Sequence, residues 1–283
     1  MRFVTLLLLF ATGNLLPLDS LAATPPRPDT KSSGQGLAAQ VAAAKRLIDE
    51  WHGDYAPLHQ AQQILIDLTK KAPGYAPTYV QLARVSFKSG YINRHNYEPA
   101  ALESAQRYLS KALELDPTLG DAYITYAYVL FFQKNLDAAR EKAAQASRLN
   151  ANQTDLLILQ AFLANAEKKS DDAIALANKV VATTGDKTAL HQAHQELGRA
   201  YTQKKEYDQV EASYEARLKL YPQFAWDHAN YSEFLSWRGK HEAAILHAEA
   251  ALKLMDFGAG HAALAYAYRS KGDHLLWTIG DAR

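Results

Sequence analysis

The chain has 283 residues, with 31 Lys and Arg against 30 Asp and Glu, a balance that leaves no electrostatic footprint for nucleic acid or an anionic membrane surface. Hydrophobic residues make up 48%, which suits a folded globular or repeat protein. There is no Cys, which excludes disulfides, a thiolate nucleophile and thiolate metal sites.

The N-terminus reads as a targeting segment. Arg2 precedes an apolar run from Phe3 to Ala11, Pro17 breaks it, and Ser20-Leu21-Ala22-Ala23 supplies small residues for cleavage. This is the pattern of a secretory signal peptide over 1–23, too short for a comfortable membrane span. No stable membrane insertion is expected after its removal. With no Cys behind it the chain is not a lipoprotein, and an exported chain without disulfides suits a bacterial periplasm. The expected location is periplasmic or secreted. Residues 24–36, TPPRPDTKSSGQG, read as a flexible tether.

From Leu37 onward the pattern is helical. The expected helices are 37–51 and 58–71, 76–88 and 98–115, 119–132 and 135–148, 153–167 and 170–182, 187–203 and 206–220, 224–237 and 240–254, then 259–270. The tail 272–283 is read as a cap. Small residues recur along the second helix of each pair, at Ala105, Ala139, Ala173, Val210 and Ala244, in steps of 34, 34, 37 and 34. A fixed period of this size marks a solenoid of helix pairs, in which no pair buries its apolar face alone. The first helices carry their own figure, clearest in His194-x-x-Leu197-Gly198-x-x-Tyr201 and repeated around Ala83, Ala127, Ala161, Ser232 and Ala265. These places are small where two backbones approach closely.

These motifs resemble the tetratricopeptide repeat (TPR) over most of Leu37 to Trp277. The chain departs from that pattern in holding Tyr, His or Leu where the family has its first Trp. The resemblance implies an all-α, right-handed superhelical solenoid of antiparallel helix pairs, about six repeats over 37–283. It also implies that first helices line a concave groove. Tyr123, Tyr126 and Leu130 then fall on packing places. Arg84, Phe87, Ile124, Tyr128, Phe131, Phe162, Arg199, Trp226, Trp237 and Arg269 fall on places that face the groove. Aromatics and Arg carry binding energy at interfaces, so an exposed aromatic stripe for a partner is expected there. Relatives that clamp a C-terminal carboxylate do so with Lys and Asn. The matching places hold Ile124 and Tyr128, Ile158 and Phe162, Gln195 and Arg199, so that mode is not expected.

One irregularity interrupts the period. YINRHNYEP, residues 91–99, stands where a short turn should join two helices, and long connections are often functional. Tyr91, Arg94, His95 and Tyr97 are candidate partner contacts; the plainer alternative is a loop folded on its own repeat, with Asn96 capping the helix that Pro99 starts.

Catalytic signals are lacking. His191 and His194 have metal-ligand spacing on one helix face, with no third ligand evident nearby. There is no His-Glu-x-x-His, no phosphate loop and no Gly-x-Ser-x-Gly. No cofactor and no metal are expected. The sequence reads as a non-catalytic scaffold or adaptor of the bacterial cell envelope that binds a protein or peptide, within an export or assembly system. The alternatives are a saccharide-binding or enzymatic envelope protein using the aromatic face, or a self-associating homo-oligomer.

Overall fold

The computed structural model describes residues 32–272, with His52, Arg94, His95 and Asn150 left out. The expected signal segment, the tip of the inserted loop and the tail beyond Gly272 lie outside the described residues. Thirteen helices are described. They form six antiparallel pairs: α1 (Ser32–Asp49) with α2 (Ala56–Lys71), α3 (Ala76–Ser89) with α4 (Pro99–Leu115), α5 (Gly120–Phe132) with α6 (Leu136–Arg148), α7 (Gln153–Ala166) with α8 (Ser170–Thr183), α9 (Lys187–Lys204) with α10 (Tyr207–Leu220), and α11 (Ala225–Trp237) with α12 (His241–Leu254). A last helix, α13 (Gly258–Lys271), packs on α11 and α12.

From α2 onward every expected boundary lies within two residues of the observed one. The exception is α1, which begins at Ser32, inside the stretch read as tether; Ala38, Ala39 and Ala42 to Ala44 are strong helix formers, and the helix extends upstream of them. The inserted loop differs too. It forms a short hairpin of β1 (Tyr91–Asn93) and β2 (Asn96–Tyr97), with Tyr91 opposite Tyr97 and Asn93 opposite Asn96. Asn96 therefore does not cap α4, whose N-cap is Glu98.

Local chemistry explains the punctuation. Pro57, Pro77 and Pro99 open α2, α3 and α4, where a missing N–H costs nothing. Side chains of Asn135, Asn152 and Asp186 accept from the first-turn amides of α6, α7 and α9. Inside four pairs the first helix ends on a left-handed residue, at Lys134 (φ 66°), Lys168 (φ 61°), Lys205 (φ 62°) and Gly239 (φ 76°). The next residue's amide then bonds back to a carbonyl of the last turn, as in Asn135 N to Leu130 O and Lys240 N to Leu235 O.

The absent Trp has a structural replacement. The Tyr79 hydroxyl donates to Pro73 O at 2.8 Å and the Tyr123 hydroxyl to Pro117 O at 3.1 Å. His228 Nε2 makes the same bond to Pro222 O at 2.9 Å. Each side chain reaches six residues back, to a carbonyl that the helix break leaves free. Between helices the small places are fully buried: Ala83, Ala127, Ala161 and Ser232 on first helices, Ala105, Ala139, Ala173 and Ala244 on second ones. Leu130 is buried as expected, while Tyr123 and Tyr126 are only half-buried, flanking the core under the Lys142 ammonium.

Apolar clusters run through α1 to α9 and again through α10 to α13. At the α9–α10–α11 junction the buried contact is ionic. Asp227 accepts from His191 Nε2 at 2.5 Å and pairs with the Arg217 guanidinium, and all three are buried. His191 is thus a structural partner of Asp227, not half of a metal pair with His194. Among the described residues no three His, Cys, Asp or Glu side chains group as metal ligands. Burial works to raise the Asp227 carboxyl, but Arg217 and His191 outweigh it and hold the group below the ordinary carboxylate range.

A second histidine contact makes stability depend on pH. His247 Nδ1 lies 2.9 Å from His228 Nδ1. The His228 Nε2–H is committed to the Pro222 carbonyl, so its Nδ1 accepts and the His247 Nδ1–H donates. Burial, then the neighbouring His228, lowers the His247 pKa from 6.5 to about 4. Between those values the unfolded chain binds a proton that the folded one refuses, so stability present above 6.5 is lost as pH falls toward 4. The melting temperature should fall from pH 7 to pH 5, and His247→Gln should flatten that slope. Equal slopes in both proteins would contradict the assignment.

Candidate partner-binding groove

Consecutive first helices point their aromatics to one side, where they meet each other and the hairpin. Tyr97 of β2 lies flat on Phe87 of α3, with ring centroids 4.5 Å apart and planes 8° apart. Its other neighbour is Phe132 of α5 at 4.4 Å. Phe162 of α7 continues the cluster, at 4.6 Å from Phe131 and 5.0 Å from Tyr128. The Arg199 guanidinium of α9 sits 5.5 Å from the Phe162 ring. Offset and edge-on pairs of this kind add stabilisation beyond the area they bury. Burial raises the phenol of Tyr97 above its ordinary range and that of Tyr128 well above it.

The hairpin also spans the hollow of the solenoid. Tyr91 meets Trp226 of α11 edge-on at 5.2 Å, and Trp51, just after α1, at 6.4 Å. Trp226 in turn packs on Phe257 at 4.8 Å. Gly53 closes this contact. Its φ of +112° favours glycine, and an added Cβ would stand 3.0 Å from Trp226 Cδ1 and 3.2 Å from Met255 Cε. The turn after α1 therefore touches the sixth helix pair.

Both Arg side chains on this face are paired with carboxylates. Arg84 donates to Asp49 Oδ1 at 2.6 Å and to Gln81 at 3.1 Å, and Arg199 to Glu196 Oε1 at 2.7 Å. Glu196 is itself buried and accepts from Asn165. Lys88 donates to Ile48 O at 2.7 Å with the Trp51 ring 5.4 Å away. Burial, helped by Arg84, lowers its pKa to about 7.

The residues singled out in the sequence divide accordingly. Phe87, Tyr128, Phe131, Phe162 and Arg199 come together, with Tyr97 from the inserted segment. Ile124 and Phe162 are each only 7% exposed, so the expected open stripe is in part a packed layer. The hairpin covers its Phe87 and Phe132 end. Arg84 is tied to Asp49, and Trp226 to Tyr91. Trp237 stands apart, 55% exposed against Tyr207, and Arg269 is exposed on α13. Arg94 and His95 lie outside the described residues. Trp51 and Lys88 were missed; the signals were Lys88 one turn beyond Arg84 and a lone Trp closing the first helix.

No protein-family model matches the chain, and no curated protein sequence does. Solved structures do. The chain is similar to PilW, described as a widely conserved type IV pilus biogenesis factor, with TM-score 0.58 at 16% identity over 73% of this chain and 90% of that one. It is similar to PilF of Pseudomonas aeruginosa, with TM-score 0.55 at 16% identity over 74% and 89%. It is also similar to human IFIT1, solved as a dimer with PPP-AAAA, with TM-score 0.55 at 13% identity over 79% and 67%. The fold is the tetratricopeptide-repeat solenoid.

Proposed function

We propose that the protein is a non-catalytic scaffold of the bacterial cell envelope, exported by its N-terminal segment, whose concave groove holds an extended segment of a partner protein. The observation that carries this reading is the groove's present content. Rings from α3 and α5 already grip an extended piece of chain through Tyr97. The likeness to a type IV pilus biogenesis factor supports a role in assembling other proteins. The pairing of Arg84 with Asp49 and of Arg199 with Glu196 speaks against a polyanion in the groove, since a phosphate backbone needs uncompensated positive charge.

A photo-crosslinking residue tests this directly. Placed at Phe131 it should join one envelope protein, whose purified segment then binds the scaffold with micromolar affinity. Placed at Leu246, 65% exposed on second helix α12, it should not. The recovered scaffold should begin near Ala23 or Thr24. The same adducts from both positions, or an intact Met1 in the cytosol, would overturn the proposal.

A further inference from the structure

We infer that the hairpin is a resident occupant, displaced by a partner segment that brings an aromatic side chain onto the seat formed by Phe87 and Phe132. This rests on the reading of the groove as the partner site and adds the chemistry of what enters it.

Three observations point the same way. The hairpin hangs from a closed base. Glu98 N donates to Gly90 O at 2.8 Å, and α3 meets α4 there so closely that a Cβ on Gly90 would collide with that of Ala101. The α3–α4 pair is thus complete without it. Next, its ladder is two residue pairs with an irregular register, and an isolated ladder of that size is not stable in water. Rings hold it: Tyr97 lies on Phe87 and against Phe132, and Tyr91 against Trp226. Finally, the charges around the seat are already matched, by Asp49 for Arg84 and Glu196 for Arg199. What the seat offers an incoming chain is the face of Phe87 with the Phe132 ring tilted beside it, and a flat aromatic side chain fills it without leaving a charge unpaired.

The tether sets a scale. A short linker holds its ligand at an effective concentration on the order of 1 mM. A seat kept about nine-tenths full by such a tether has an untethered dissociation constant of about 0.1 mM or tighter.

The experiment uses the full chain with Tyr91→Ser and Tyr97→Ser, which empties both seats. The probe is a fluorescent synthetic peptide of residues 89–99, SGYINRHNYEP. It should bind the variant with a dissociation constant of about 0.1 mM or tighter, and bind the native chain at least about tenfold more weakly, because there the competent state is rare. The same peptide with both Tyr replaced by Ser should not bind. A variant with native helical circular dichroism that takes no peptide would overturn the inference. So would equal binding to both proteins, which would leave the groove a partner site but remove the hairpin as its occupant.

A second measurement does not depend on that variant. Native-state hydrogen exchange reads the hairpin through the amides of Tyr91 and Tyr97, with no substitution in the seat. Their exchange should be insensitive to low urea, while the amide of the fully buried Ala105, inside α4, should exchange through global unfolding and accelerate with urea. The same urea dependence at both sites would show the hairpin to be a fixed part of the fold.

Discussion

Asp227→Ala is expected to remove about 3–5 kcal/mol of stability, because it leaves the Arg217 charge buried without its partner. Asp227 has no exposed surface, and Arg217 and His191 are 8% exposed each. The contact ties α9 to α10 and α11 where the apolar clusters break, one ending on α9 and the next starting on α10. Urea denaturation monitored by circular dichroism measures the loss. The double replacement Arg217→Met with Asp227→Leu should recover much of it, as apolar side chains of similar volume often replace a buried ion pair without cost. A loss below about 1 kcal/mol in the single variant would mean that the pair is solvated.

Tyr79→Ala is the second large effect, at about 3–5 kcal/mol, the scale of truncating a large aromatic in a core. The side chain is 1% exposed and fills the space between α3 and its neighbours. Tyr79→Phe keeps the ring and loses only the bond to Pro73 O, so it should cost about 1 kcal/mol. The ratio between the two separates packing from the hydrogen bond, and equal losses would show that the hydroxyl, not the ring, carries the contact.

Helix limits were legible because the chain marks them chemically. Pro opens or ends helices at Pro57, Pro73, Pro99, Pro117 and Pro222, and small residues return every 34 positions or close to it. The meeting of Phe87, Tyr128, Phe131 and Phe162 was legible through the same register. What the register did not reveal was occupancy. Tyr91 and Tyr97 read as candidate partner contacts or as part of a loop folded on its own repeat, yet their neighbours include Trp226 and Phe132, and no local pattern ties β1 to a helix four pairs further on. His191 was legible as unusual, but its buried ionic partner was not. Its partner Asp227 occupies the register place held elsewhere by Thr78, Ala122, Leu156, Ala193 and Gly260, all buried. A lone carboxylate in that series was the available clue to a buried network.

The contact of Gly53 and Tyr91 with Trp226 changes how such a chain should fold. In an open array each repeat touches only its neighbours, so structure can start anywhere and fray from either end. Here the first turn is pinned to the sixth pair, and neither terminus frays alone without breaking a contact at the other. Closing that contact means bringing together residues far apart in the chain, an entropic cost met only after the intervening pairs have formed. The final closure is therefore a late step, and it couples the two ends of the array into one cooperative unit.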